Sequence, residues 1–312
     1  MTESYGRYAP SPTGVLHIGN LRTALLAWAF AYNSGRKFLI RMEDIDERSR
    51  PEYISQQLRD LETLGISWDK LVIQSKNRDY HRHMFHVLHD QDLLYECYCT
   101  RRELREIASA PHGKPGFYQG TCAFLSERER KEKREQARKA RRSFALRLRT
   151  DADSFTIHDT LAGDYVAPID DFVIRRSDGL FSYNFLNVVD DIAQGVTQIV
   201  RGNDLLSSTP RQGYLWKMLA NKLPSYIHVP LIVNKQRIRL SKRDQSITLS
   251  ELTSHGIAIE HIINTFASSL HLHLPDDHPI TSASLFAEAL AYTPYENINT
   301  CAWIYTPEIF ES

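Results

Sequence analysis

The chain has 312 residues, of which 42% are hydrophobic, and its 38 basic and 38 acidic side chains give a formal charge of zero. This length exceeds that of a usual single domain and predicts one large body with a smaller unit, while the balanced charge excludes recognition of nucleic acid by global charge alone. No run of about eighteen apolar residues occurs, which excludes a membrane span, and the chain start lacks a signal pattern, so we expect a cytoplasmic protein.

Strands and helices are predicted to alternate along most of the chain. The predicted strands are 6–9, 38–42, 144–148, 172–175, 185–189 and 199–201. The predicted helices are 19–33, 51–64, 79–90, 257–270 and 282–291. This alternation predicts an α/β fold with a mostly parallel sheet covered on both faces. In such sheets ligands bind beyond the carboxyl ends of the strands, here just after Ala9, Met42 and Val200.

Residues 7–20 predict a strand, a loop rich in Pro and Gly, and a helix start that carries His17. A helix N-terminus attracts phosphate because its N–H groups are unpaired and its dipole end is positive. His17 can donate a hydrogen bond to an anionic oxygen, and Gly19 leaves room for a flat ring near the backbone. The alternative is an ordinary strand–turn–helix in which His17 only caps the helix. A basic loop at 239–243 is by itself typical of a solvated turn, but the two segments together predict a site that brackets a nucleoside triphosphate.

Two motifs carry a resemblance to a known family. Residues 13–20 resemble the HIGH motif of class I aminoacyl-tRNA synthetases, and residues 240–242 resemble the core of their KMSKS loop. Residues 7–14, 41–46 and 199–205 are similar to the glutamyl and glutaminyl subgroup. The resemblance implies a Rossmann-like catalytic domain that contains an inserted zinc-binding subdomain and is followed by a short helical appendage.

The resemblance also implies domain boundaries and an ATP site. Residues 1–95 are expected to form the first half of the catalytic domain, 96–190 the inserted acceptor-type and zinc subdomain with the return to the sheet, 191–248 the second half, and 249–312 the appendage. His17 and Lys242 are the implied catalytic residues. The implied ATP ligands are Pro10, His17, Gly19, Asn20, Leu240, Ser241 and Lys242.

The two motifs depart from the family pattern at three positions. Asn20 stands where the last histidine of HIGH would be, and Arg239 and Arg243 flank the Ser–Lys pair. Asparagine can still donate a hydrogen bond, so neither departure removes the implied chemistry.

The amino-acid pocket is predicted from complementary charge. Free glutamate carries two carboxylates and one ammonium group, for which Arg7 and Arg201 offer planar forks, Glu43 an anion and Tyr183 a hydroxyl. Taken singly, each is most simply a surface charge or a strand-end ion pair. The resemblance implies that the glutamate contacts are Arg7, Ala9, Ser11, Glu43, Tyr183 and Arg201. The aspartates at 44, 46, 190 and 191 are predicted to hold the arginines in place.

No Ser or Cys in the sequence stands in an activated setting. This fits amino-acid activation, in which the substrate carboxylate itself attacks the α-phosphate of ATP and the protein positions the reactants and stabilises charge. Mg²⁺ is expected to enter with ATP as part of the substrate, with phosphate oxygens supplying much of its shell.

Three cysteines predict one structural zinc ion. Cys97 and Cys99 are followed by Cys122, and in a cytosolic chain such spacing is typical of a tetrahedral zinc site. His112 is the default fourth ligand by its chemistry, whereas the resemblance implies Tyr118. The alternative is three unrelated buried thiols. The remaining cysteine, at position 301, is expected to be a core or surface residue.

Within the subgroup, the chain resembles the GluQ subfamily, because about seventy residues follow the loop at 240–242 and leave no room for a helical half that reads the anticodon. This resemblance implies tRNA-independent activation of L-glutamate and transfer to queuosine, the modified wobble base of tRNA(Asp), with the anticodon stem-loop as partner and a monomer as acting species. Two alternatives stay open: a truncated glutamyl-tRNA synthetase that charges the tRNA 3′ end, and a non-catalytic module that binds RNA or nucleotide.

One tract has biased composition. Residues 127–142 contain nine Lys or Arg and four Glu, which on a helix can contact RNA phosphates. The favoured interpretation is a solvated helix with ion pairs four residues apart, such as Glu127–Lys131 and Glu135–Lys139.

Overall fold

The structure is a computed structural model and describes residues 3–108, 117–220, 222–238, 240 and 247–310. The strands are β1 (Tyr5–Tyr8), β2 (Lys37–Met42), β3 (Lys70–Ile73), β4 (Leu94–Cys97), β5 (Ala145–Leu148), β6 (Ser154–Asp159), β7 (Gly163–Pro168), β8 (Val173–Arg175), β9 (Val196–Gly202), β10 (Ser225–Val229), β11 (Ile232–Val233) and β12 (Trp303–Ile304). The helices are α1 (Ile18–Asn33), α2 (Pro51–Thr63), α3 (Arg78–Asp90), α4 (Arg101–Ala108), α5 (Glu127–Lys139), α6 (Tyr183–Ala193), α7 (Thr209–Leu219), α8 (Leu249–Ser254), α9 (Ile259–Ser269) and α10 (Ala283–Tyr292).

The large sheet has seven strands in the order β3-β2-β1-β9-β10-β6-β7. Every pair is parallel except the β6–β7 hairpin. The predicted α/β fold with a mostly parallel sheet is therefore confirmed. The chain leaves β1 first toward β2 and β3 and later toward β9 and β10, so the strand order reverses beside β1. In open α/β sheets this reversal marks the ligand crevice.

A smaller antiparallel sheet, β4-β5-β8, stands apart from the large one. The segment predicted to form the inserted subdomain contributes to both sheets, since its β6–β7 hairpin joins the large sheet by pairing Asp159 with Tyr226 of β10. The domain boundaries themselves stay a prediction.

Alternate residues of the strands enter two hydrophobic cores. Phe38 and Ile40 pack in a core with α1, α2 and the C-terminal helices, whereas Leu39 packs in a core with α3, α6 and α7. Because side chains alternate along a strand, the two cores lie on opposite faces of the sheet. Helix α1 lies very close to β1, since a Cβ added at Gly6 would stand 2.6 Å from the Cβ of Ala31.

The C-terminal helices pack on α1. Asn33 donates a hydrogen bond to the carbonyl of Ala287 in α10, and the guanidinium of Arg22 donates to the hydroxyl of Ser269 and the carbonyl of Pro230. Among the helices of the described ranges, none has the length and apolar character needed to cross a bilayer.

One predicted strand is wrong: residues 185–189 lie inside helix α6. The hydroxyl of Ser182 accepts a hydrogen bond from the backbone N–H of Phe185 and caps the helix start. A short run of apolar and β-branched residues is compatible with either a buried strand or a buried helix. Here the helical spacing of the polar residues Asn187 and Asp191, both buried, marks the helix.

Helix α5 confirms the helical form of the basic tract but not the pairs proposed for it. Arg128 pairs with Glu132, Arg138 with Glu135, and Arg134 with both Glu96 of β4 and Glu127. The tract is therefore a solvated helix with ion pairs, as favoured from the sequence, but its ion pairs join other residues than those predicted.

Candidate active site

A cleft of about 550 Å³ opens beside the strand-order reversal at β1. The predicted site residues that line it are Ala9, Pro10, Ser11, His17, Gly19, Asn20, Glu43, Tyr183 and Leu240. Arg7 and Arg201 are buried at the ends of neighbouring strands, with 3% and 5% of their surface exposed. Ser241 and Lys242, like His112, lie outside the described residues.

His17 is the N-cap of α1, and its ring orientation is set by the backbone. The N–H of Gly19 donates a hydrogen bond to His17 Nδ1 (3.1 Å), and the N–H of His17 donates to the side-chain oxygen of Asn20 (3.4 Å). Because Nδ1 accepts, the neutral ring carries its hydrogen on Nε2, which is the atom able to donate to an anion. Asn20, the departure from the HIGH pattern, thus completes the cap of the helix.

Gly19 is required by the position of this ring. A Cβ added at Gly19 would stand 2.9 Å from Cε1 and 3.0 Å from Nδ1 of His17. Such contacts force the imidazole to move, since Cβ atoms do not approach heavy atoms this closely.

We expect Gly19→Ala to lower the rate of adenylate formation at least tenfold without lowering the melting temperature. Alanine is favoured over glycine within a helix by about 1 kcal/mol, so the helix itself gains while the His17 ring is displaced. Pyrophosphate exchange and thermal unfolding measure the two effects. An active Gly19→Ala variant would show that the ring position does not matter.

The described residues on either side of 241–246 lie at the cleft and at the start of α1. Leu240 lines the cleft, and its N–H donates to the carbonyl of Ile232 (3.3 Å). On the other side, the N–H of Ile18 donates to the carbonyl of Ile247 (3.1 Å), and Thr248 forms a β-bridge with His17.

The pocket floor contains a buried chain of charges. Arg41, fully buried, donates to Asp191 (2.6 Å) and to Glu43 (3.1 Å). Asp191 also pairs with Arg7 at 3.4 Å. Arg7 donates in addition to the side-chain oxygen of Asn187 (3.5 Å), which places β1, β2 and α6 in one network.

Glu43 belongs to this network and also lines the cleft. It accepts a hydrogen bond from Asn187 (3.1 Å), whose amide also donates to the hydroxyl of Tyr183 (3.4 Å). Burial raises the pKa of Glu43, and the charges of Arg41 and Arg7 oppose that rise. Arg7 and Arg41 have carboxylate partners in Asp191 and Glu43, whereas Arg201 makes no ion pair within the described residues and can therefore serve a carboxylate of the substrate.

The aspartates predicted to hold arginines behave differently from one another. The prediction is confirmed for Asp191 and wrong for the others. Asp190 instead accepts from His81 (2.9 Å), Asp44 caps the backbone of Ser75, and the exposed Asp46 pairs with Arg48, which is not a pocket arginine.

Arg201 is held by groups that the sequence did not indicate. Its Nε donates to Nε2 of His228 (3.2 Å), and its Nη2 donates to the hydroxyl of Thr209 (2.8 Å). Within the described residues its Nη1 is buried and has no hydrogen-bond partner. Arg41 and Asn187 were also not predicted as site residues, because Arg41 lies within β2 and its partner Asp191 comes from the distant helix α6.

A second cluster lies at the end of β4. The sulfur atoms of Cys97, Cys99 and Cys122 are all within 4.8 Å of one another, and the Sγ atoms of Cys99 and Cys122 are 3.6 Å apart. The hydroxyl of Tyr118 lies 3.6 Å from Cys97 Sγ and accepts the N–H of Cys122 at 2.7 Å. The guanidinium of Arg147 stacks on the Tyr118 ring.

Comparison with known proteins identifies the family. A family model described as class I tRNA synthetases (E and Q), catalytic domain, matches residues 5–272. The chain belongs to this family. It is accordingly a ligase-type aminoacyl transferase.

The resemblance of this synthetase to the GluQ subfamily is also confirmed. A glutamyl-Q tRNA(Asp) synthetase from Nocardia farcinica is 52% identical over 86% of this chain and 85% of its own length. One from Nitratidesulfovibrio vulgaris is 42% identical over 84% of this chain and 85% of its own. A glutamate–tRNA ligase from Caldanaerobacter subterraneus is 39% identical over 85% of this chain but 56% of its own length.

A solved structure supports the fold of the synthetase. The glutamate tRNA ligase from Elizabethkingia meningosepticum superposes with a TM-score of 0.80 at 24% identity, over 100% of this chain and 68% of that one.

Proposed function

We propose that this synthetase activates L-glutamate with ATP in the absence of tRNA and then transfers the glutamyl group to queuosine at the wobble position of tRNA(Asp). The observation that carries the proposal is a buried guanidinium without an ion pair in the described residues, that of Arg201, close to Glu43 and to the cleft in which His17 caps helix α1. The names of its relatives at 52% and 42% identity support the choice of acceptor. The proposed acting species is a monomer, and its RNA partner is the anticodon stem-loop.

In the first step the α-carboxylate of glutamate attacks the α-phosphate of ATP, and pyrophosphate leaves. His17 Nε2–H donates to the phosphates, and the positive end of the α1 dipole favours the charge that develops there; the first N–H groups of the helix are already bonded within the protein. Mg²⁺ bound to the phosphates lowers their charge. In the second step a hydroxyl of the queuosine cyclopentene ring attacks the activated carbonyl carbon, an ester forms, and AMP leaves with the bonding pair.

Lys242 is proposed to neutralise the pyrophosphate. The support is its sequence position two residues after Leu240, which lines the cleft, and five residues before Ile247, which bonds the first turn of α1.

Glutamate is proposed to lie with its side-chain carboxylate toward Arg201 and its ammonium toward Glu43, while Arg7, Ala9, Ser11 and Tyr183 complete the contacts. Burial of Arg7 and Arg201 excludes water and strengthens such pairing.

Transfer is tested with radiolabelled glutamate and three RNAs: tRNA(Asp) with queuosine, the same tRNA with guanosine at the wobble position, and the isolated queuosine-containing stem-loop. We expect the first and third to be labelled and the second not. Label on the 3′-terminal adenosine would instead support a truncated glutamyl-tRNA synthetase. Absence of both adenylate and label would support a non-catalytic module.

We further propose a structural zinc ion held by Cys97, Cys99, Cys122 and Tyr118. Ligands in a tetrahedral site with Zn–S bonds of about 2.3 Å are separated by about 3.8 Å between sulfurs and about 3.5 Å between sulfur and oxygen. The separations of 3.6 Å for Cys99–Cys122 and for Cys97–Tyr118 fit this geometry. A bound cation would favour the phenolate form of Tyr118, and the ion would tie β4 to the loop at 117–122.

The zinc proposal predicts about one equivalent of zinc in the purified protein. Tyr118→Phe keeps the ring under Arg147 but removes the oxygen, so we expect zinc affinity to fall at least about tenfold, since even outer partners of a ligand are worth that much. Cys99→Ser should act similarly, whereas Cys301→Ser, at an exposed thiol, should change nothing. Less than half an equivalent of zinc, with full folding after chelation, would contradict the proposal.

A further inference from the structure

Arg201 is held in place by neutral groups. Its contacts, Nε2 of His228 and the hydroxyl of Thr209, are both buried, and neither carries a negative charge. The other two guanidinium groups of the pocket differ, because Arg7 and Arg41 each pair directly with Asp191. Arg201 is therefore oriented without being neutralised.

The state of His228 follows from its hydrogen bonds. Its Nδ1 lies 2.6 Å from a carboxylate oxygen of Asp159, which can only accept at that point. The facing Nε–H of Arg201 can only donate, so Nε2 accepts from it and the imidazole is neutral; the hydroxyl of Thr209, 2.9 Å from the same nitrogen, can also donate to it. Burial lowers the pKa of His228 and favours the same state.

Asp159 is itself fixed by the backbone. Its carboxylate accepts the N–H groups of Leu161 (3.0 Å), Ala162 (2.8 Å) and His228 (3.0 Å). It ends β6, His228 lies in β10, and Arg201 lies opposite His228 in β9. Contacts across three neighbouring strands, from the β6–β7 hairpin through β10 to β9, therefore fix the orientation of Arg201.

The unpartnered Nη1 of Arg201 indicates which group of the substrate this side chain binds. Its Nη1 is buried and has no partner within the described part of the chain. The α-carboxylate of glutamate must reach the phosphates near His17 to react, so the uncompensated cation is available to the side-chain carboxylate. A carboxylate placed directly on Arg201 would cancel this charge and remove its preference for an anionic side chain over an amide.

We propose that Asp159, His228 and Thr209 are positioning residues that hold Arg201 oriented and uncompensated, and that they thereby set the preference for glutamate over glutamine. The inference rests on the proposed function, in which Arg201 contacts glutamate. It concerns His228 and Thr209, which contact Arg201, and Asp159, which acts through His228; none of them is proposed to contact the substrate.

The test compares His228→Leu, His228→Gln and Thr209→Val in pyrophosphate exchange without tRNA. Loss of a hydrogen bond to a charged group predicts that His228→Leu raises KM for glutamate on the order of ten- to a hundredfold, with KM for ATP unchanged. The ratio of kcat/KM for glutamate to that for glutamine should fall by a similar factor. His228→Gln offers an amide oxygen to Arg201, so we expect KM for glutamate and the preference over glutamine to return close to the wild-type values. Thr209→Val should change both quantities less than His228→Leu does.

His158→Leu is the matched control. His158 also pairs with a carboxylate, that of Asp164, and neighbours Asp159 in β6, but it is exposed, so its loss should leave both KM values unchanged. If the wild type exchanges pyrophosphate with glutamate while His228→Leu and Thr209→Val keep their glutamate preference, the positioning role is wrong and the proposed function stands. Equal increases of both KM values in His228→Leu without rescue by Gln would likewise overturn it. If the wild type shows no exchange with glutamate, the proposed function fails and this inference fails with it.

Discussion

Replacement of His17 by asparagine is expected to lower the rate of glutamyl-adenylate formation by about 100- to 1000-fold, the usual effect of removing a donor aimed at developing charge. Asparagine is a good N-cap residue, so helix α1 should keep its start while the Nε2–H donor is lost. Burst measurement of adenylate formation gives the rate, and KM for glutamate should change little.

Two controls accompany this variant. His158→Asn changes an exposed histidine away from the cleft and should leave the rate unaltered. Thermal unfolding should show that His17→Asn remains folded. A folded His17→Asn variant with the wild-type rate would mean that His17 only caps the helix, which is the alternative left open by the sequence.

Replacement of Arg41 by methionine is expected to destabilise the protein by about 3–5 kcal/mol, the usual cost of leaving a buried charge without its partner. Arg41 is fully buried and pairs with both Glu43 and Asp191, so its loss removes the ion pair of Glu43 and leaves Asp191 with Arg7 at 3.4 Å. Urea unfolding measures the change in free energy.

Arg48→Met is the matched control for Arg41→Met, because Arg48 pairs with Asp46 in the same segment but is exposed. Exposed ion pairs contribute little, so its unfolding midpoint should stay close to that of the wild type. Equal midpoints for the two variants would contradict a stabilising role of the buried charges.

The position of the site was predictable from local patterns. Strand 6–9, its Pro/Gly loop and the cap at His17 are all specified within fifteen or so residues, and the carboxyl ends of parallel strands necessarily meet. The spacing of Cys97 and Cys99 likewise predicted a cluster of thiols, and the separations between the sulfur atoms support it.

The parts that the sequence did not reveal depend on contacts distant in the chain. His228 and Asp159 are separated by 69 positions and meet only because β6 and β10 are neighbours. Arg41 looks like an interior strand residue, and only the packing of α6 supplies Asp191 beside it. Residues 185–189 of the same helix were predicted to be a strand, because a short apolar run is buried whether it forms a strand or a helix.

The proposed tRNA-independent activation of glutamate is tested most directly by exchange of labelled pyrophosphate into ATP by the purified protein, with glutamate as the only amino acid and no tRNA. We predict saturable exchange that requires glutamate, is weak with glutamine, and is not increased by added tRNA. Exchange that appears only after tRNA is added, or that does not occur with glutamate at all, would contradict tRNA-independent activation of glutamate by this protein.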